Sequence, residues 1–114
     1  MKTEVTRLTC PDCGGSLVRV EEPGAMTEYR CRIGHIYSPK SALVVHAERE
    51  ENTLWLAAVL LEEGAELAEE ISNQASVNNP EQLKLVSAAK RNLAERLKRV
   101  VSDFVEIPMH LDQS

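Results

Sequence analysis

Aromatic side chains are scarce in this chain: Tyr29, Tyr37, Trp55 and Phe104 are the only four among 114 residues. Any core must therefore be mostly aliphatic, for which the 43% hydrophobic content is sufficient. Long apolar runs are missing too. None approaches the ~18 residues that a membrane-crossing helix needs, so no membrane role is expected. The N-terminal segment is polar and lacks the apolar middle region of a secretory signal. Positive charge is not in excess. Thirteen basic against eighteen acidic side chains leave a net charge of −5, which argues against nucleic acid as a partner. Cysteine occurs three times. An odd number cannot be fully paired within one chain, so reduced, metal-bound thiols and a cytoplasmic location are expected. The length suits one domain, or a small domain with an extension.

All three cysteines fall in ligand spacing. Cys10-Pro-Asp-Cys13 is a C-x2-C pair, and after seventeen residues Cys31-Arg-Ile-Gly-His35 is a C-x3-H pair. Zinc takes thiolate and imidazole donors at ~2.0–2.3 Å in a tetrahedron, and two tight turns can supply all four. Cys10, Cys13, Cys31 and His35 are thus the candidate ligands of one structural Zn2+. Gly14 and Gly15 follow the first pair and Gly34 precedes His35. Those glycines let the backbone curl so that amide N–H groups face the sulfurs. Four protein donors leave no position for a catalytic water, so no enzyme activity is expected. Iron in rubredoxin-like sites uses similar turns but prefers four cysteines. A redox C-x-x-C is the other alternative. It usually opens a helix after a strand, whereas Gly-Gly and an extended run follow here. Three thiolates on Zn2+ carry about −1, which Arg30 and Arg32 beside Cys31 are near enough in sequence to offset, although the favoured reading of both is as exposed strand residues.

The composition divides the chain into a zinc-ribbon module over 1–37 and a helical hairpin over 38–114. Leu17–Val20 and Glu28–Arg32 read as two strands. Glu22-Pro23-Gly24-Ala25 between them has turn chemistry, with proline presetting φ and glycine tolerating φ > 0. The expectation is a β-hairpin whose ends carry the two ligand pairs. Ser38-Pro39 then starts a helix, serine as N-cap and proline in the first turn. It runs to about Ala75 with an apolar stripe at Leu43, Ala47, Leu54, Ala58, Leu61, Ala65 and Ala68. Gly64 interrupts it at a cost of roughly 1 kcal/mol. Asn79-Pro80, with Gln82 in a capping-box place, restarts helix to about Val105, and Pro108 ends it. The second stripe is Val86, Leu93, Leu97, Val100 and Phe104. The short link makes the helices antiparallel neighbours. Residues 41–79 hold eight glutamates and Arg49, whereas 80–114 hold six basic and five acidic side chains; this allows charge complementarity at the edges of the pair, although a plain solvated face is the favoured reading of these charges. Trp55 lies outside the main stripe and is expected to pack on the zinc module or the second helix. His46 and His110 read as surface residues.

The run Cys10-Pro-Asp-Cys13-Gly-Gly-Ser-Leu, then Tyr29-Arg-Cys31-Arg-Ile-Gly-His35-Ile-Tyr37-Ser38-Pro39, then Leu54-Trp55 with Ala57-Ala58, resembles one family. It is similar to the small zinc-ribbon-plus-helices region attached to some bacterial chemotaxis protein-glutamate methylesterases, also found as a stand-alone protein. The similarity covers roughly residues 8–70. It implies Cys10, Cys13, Cys31 and His35 as metal ligands, and a chemotaxis or two-component setting. The chain has no nucleophile turn and no βαβ alternation, so no catalytic residue is carried over.

The expected fold is a small α+β protein: a zinc ribbon with rubredoxin-like knuckles, then a long antiparallel helical hairpin. The expected function is a non-enzymatic zinc-binding interaction or regulatory module that meets a protein partner or forms a homo-oligomer through its helices. The alternative is a nucleic-acid-binding zinc ribbon. Arg7, Arg19, Arg30 and Arg32 lie in its first part, but residues 1–40 carry six basic and five acidic side chains, only +1.

Overall fold

Residues 1–105 and 107 are described by a computed structural model of the chain. The elements run in the order β1 (Lys2–Thr9), β2 (Ser16–Glu21), β3 (Glu28–Arg30), β4 (Ile36–Tyr37), α1 (Pro39–Ser72) and α2 (Pro80–Val105). This is a small α+β protein with an antiparallel sheet at its N-terminal end and two helices after it. The sheet has four strands in the order β1-β2-β3-β4 and not the two expected. The sequence concealed β1 because nearly all its side chains are exposed, leaving no buried-apolar alternation to read. β4 has only two residues, too short to show any period.

Each strand pairs with the next. Glu4 lies opposite Arg19, Arg19 opposite Tyr29, and Tyr29 opposite Tyr37. The β1–β2 register shifts between Val5 and Thr9. Within that irregular stretch the Thr6 hydroxyl donates to the Leu17 carbonyl at 2.8 Å, replacing a lost ladder contact. The β2–β3 link turns as its residues require. The Ala25 amide donates to the Glu22 carbonyl at 3.1 Å, and Gly24 sits at φ +80° behind Pro23. That is the type II pattern, with the left-handed position given to glycine.

In this meander the first and third links leave the same end of the sheet. Those links are 10–15 and 31–35, so topology alone carries both ligand pairs to one end. The chain folds as two compact units, Met1–Arg49 and Glu50–Pro108. The core of the first unit is small: Cys10, Leu17, Cys31 and Tyr37 are buried together, with Tyr29 and Ala42 against them. Two of its four members are therefore candidate ligands. A core this small is marginal without a disulfide or a metal.

α1 begins as its sequence directs. The Ser41 amide donates to Ser38 Oγ at 3.1 Å, an N-cap bond that satisfies one of the free donors of the first turn. α2 begins at Pro80 with the Leu83 amide bonded to the Asn79 carbonyl at 3.3 Å.

Within the Glu50–Pro108 unit the helices form an antiparallel hairpin. Ala58, Ala65 and Ala68 are buried on α1, and Ser87, Ala94 and Val101 on α2. Ser87 Oγ donates to the Ala65 carbonyl at 2.8 Å, a bond possible only where the backbones approach closely. Ion pairs Glu62–Lys98 at 2.5 Å and Glu69–Arg91 at 2.8 Å flank the seam. Glu62 beside Lys98 holds that ammonium above its usual range.

The α2 stripe is displaced from expectation. The seam falls on 87, 94 and 101, while Leu93 and Val100 are exposed. Small side chains win the seam because they permit close approach, which the larger ones would block. Leu43 is exposed too, and so is Trp55, which was expected to be covered. Pro108 and His110 lie outside the described residues.

Candidate metal centre

The first ligand turn closes tightly. The Cys10 amide donates to the Gly15 carbonyl at 2.6 Å, and the Gly14 amide to the Cys10 carbonyl at 2.8 Å. The second turn has the same logic. The Cys31 amide donates to the His35 carbonyl at 3.0 Å, and the Gly34 amide to the Cys31 carbonyl at 3.2 Å. Gly14 at φ +76° and Gly34 at φ +114° occupy backbone regions that a side chain disfavours. The expectation that these glycines curl the chain around the donors is met.

The four donors converge. One ligand atom from each of Cys10, Cys13, Cys31 and His35 lies within 4.8 Å of every other. Cys13 Sγ is 3.7 Å from Cys31 Sγ, and Cys10 Sγ is 3.6 Å from His35 Nδ1. Metal–sulfur bonds of ~2.3 Å and metal–nitrogen bonds of ~2.05 Å in a tetrahedron imply edges of about 3.8 Å between sulfurs and about 3.6 Å between sulfur and nitrogen. These two separations match those edges. The Cys31 Sγ to His35 Nδ1 distance of 3.1 Å is shorter, and an ion seated between them would widen it. The donor set therefore fits one tetrahedral metal ion, with His35 presenting Nδ1. All three cysteines are free thiols.

The surroundings favour thiolate at two positions. Burial pushes Cys10 up, but the Tyr37 hydroxyl and the amides of Asp12 and Cys13 outweigh it and bring the thiol below its usual range. Burial likewise opposes ionisation of Cys31, yet the amides of His35, Ile33 and Gly34 and the His35 ring pull it down to about 6. Cys13 goes the other way. The Gly15 amide lowers it, but desolvation and the neighbouring Cys31 and Cys10 sulfurs raise it overall. His35 is raised, chiefly by its hydrogen bond with Cys31. Metal binding replaces these proton-mediated contacts with direct bonds to the same atoms.

Three residues around the cluster escaped the sequence reading. The Tyr37 hydroxyl lies 3.4 Å from Cys10 Sγ and donates to the Asp12 carboxylate. Arg49 Nη1 reaches the Cys10 carbonyl at 3.5 Å. Tyr37 follows His35 by two, so β4 turns it toward the ligands; once the second turn is drawn, that spacing is visible in the sequence. Arg30 is an exposed strand residue, as expected, and pairs with Glu28 at 2.9 Å. Arg32 is exposed as well, in line with the favoured reading. Arg19 is held by Glu4 and Glu21. Two of the four arginines that suggested nucleic-acid binding are thus already paired with carboxylates.

No helix among the described residues is long and apolar enough to cross a membrane. Compared with family models, curated proteins and solved structures, the chain matches none.

Proposed function

We propose that this protein is a non-enzymatic zinc module: a zinc ribbon with two rubredoxin-like knuckles that carries a helical hairpin for protein interaction or regulation. The convergence of Cys10, Cys13, Cys31 and His35 within 4.8 Å carries the reading. Four protein donors fill a tetrahedral ion, so its work is to hold the sheet together. Zinc suits this set best, because it accepts mixed thiolate and imidazole donors and imposes no redox cycle. Interaction then falls to the helices, where large apolar side chains stand exposed. The likeness of Arg30-Cys31-Arg32-Ile33-Gly34-His35-Ile36-Tyr37-Ser38 to the methylesterase-associated region supports a bacterial, cytoplasmic setting in chemotaxis or two-component signalling.

Cobalt(II) substitution tests the structural role of the ion. A closed tetrahedral site gives intense visible bands that stay unchanged when azide is added. Bands that shift with azide would reveal an open coordination position and overturn the non-enzymatic reading.

A further inference from the structure

The Glu50–Pro108 hairpin buries small side chains and exposes large ones. Ala58, Ala65 and Ala94 are fully buried, while Leu56, Leu60 and Leu67 are each more than half exposed. At 3.6 residues per turn Leu60 and Leu67 project to one side of the α1 seam, Leu56 points nearly opposite that seam, and Leu93 and Val100 project to one side of the α2 seam. The Glu62–Lys98 and Glu69–Arg91 ion pairs mark the other flank of both helices. Leu60, Leu67, Leu93 and Val100 therefore lean to the same side of the hairpin. Their steps of seven are those of a bundle seam.

Charge borders this face asymmetrically. Beyond the leucine row α1 carries Glu63 and Glu70, and beyond its own row α2 carries Arg96 and Arg99. None of the four has an ion-pair partner among the described residues.

We propose that a second copy of this chain covers the face, joining two hairpins in a four-helix bundle about a twofold axis parallel to the helices. This rests on the reading of the helices as the interacting part. The charge pattern selects the axis. A twofold parallel to the helices sets α1 against the α2 of the partner, so the acidic rim meets the basic rim. A twofold across the helices would set α1 on α1, glutamates against glutamates. A parallel twofold also preserves height along the bundle. Since residue 62 pairs with 98 and 69 with 91 within one hairpin, Glu63 comes level with Arg96 of the partner subunit.

Sedimentation velocity on the full zinc-loaded chain tests this, with helix content followed by circular dichroism. At about 100 µM the expected species has twice the 12.7 kDa chain mass. Leu60→Glu with Leu93→Glu, both at exposed positions, should keep the helix signal and weaken association by about 100-fold or more. Glu63→Arg and Arg96→Glu should each weaken it by severalfold, and the combined swap should restore it. A wild-type monomer at all concentrations overturns the dimer but leaves the helices as a surface for a different partner. A dimer that survives Leu60→Glu with Leu93→Glu overturns both, because association then lies elsewhere. A dimer lost in the leucine variant but not rescued by the swap overturns the proposed axis.

Discussion

Cys13 Sγ stands 3.7 Å from Cys31 Sγ, although seventeen residues separate them. That is too far for a disulfide, which needs ~2.05 Å, and it matches the sulfur–sulfur edge that a tetrahedral metal site would have. The meander produces it by bringing two hairpin turns to one end of the sheet. The sheet and the candidate metal site thus share residues, since Cys10 and Cys31 are also half of the local core.

Metal removal should act on the two units differently. Structural zinc supplies about 10 kcal/mol or more to small folds, more than the roughly 5–9 kcal/mol that burying three side chains such as Leu17, Val20 and Tyr37 supplies. Chelation is expected to unfold the sheet of the Met1–Arg49 unit, seen as collapse of its amide NMR dispersion. Much of the helical circular dichroism should remain, because the Ala58, Ala65 and Ala94 seam involves no ligand. Complete loss of helix would refute that independence.

Tyr37→Phe removes one oxygen and keeps the ring in the core. It deletes the contact to Cys10 Sγ and the bond to Asp12. Groups that orient ligands in this way are typically worth 10–100-fold in metal affinity. A competition titration against a zinc indicator should show a loss of about that size. Unchanged affinity would make the hydroxyl a bystander.

Gly34→Ala should be costly for the backbone alone. An added Cβ meets nothing within 4 Å, but φ is +114°, which an L side chain rarely adopts. The expected destabilisation is about 1–3 kcal/mol, read as an earlier chelator midpoint. Ala at Gly15, whose φ is not positive, should disturb the site less by the same measurement.

Gly64→Ala should stabilise the hairpin. Glycine inside a helix costs about 1 kcal/mol relative to alanine. The new Cβ would come within 3.1 Å of Lys90 Nζ and 3.3 Å of its Cδ, and a lysine end can swing aside. Ser87→Ala should do the reverse by about 0.5–1.5 kcal/mol, because it removes a buried bond to the Ala65 carbonyl. Thermal melts followed at the helix signal distinguish the two signs.

Local chemistry was legible in the sequence where it was strong. Pro23-Gly24 forms the expected turn, Ser38-Pro39 opens α1, and Pro80 opens α2. The four donors stood out because spacing alone defines a ligand pair. What was hidden depended on partners. β1 buries almost nothing, so no periodicity could announce it. The α2 seam followed Ser87 and Ala94, since close helix approach rewards small residues over the leucine stripe. Arg30 pairs with the carboxylate of Glu28, two residues away.

Native mass spectrometry of the intact chain tests the metal centre most directly. One zinc ion per chain is expected in the wild type, and none in Cys13→Ser with His35→Ala. A wild-type chain that keeps its folded sheet without metal, or a double variant that still binds zinc stoichiometrically, would contradict a structural Cys3His site.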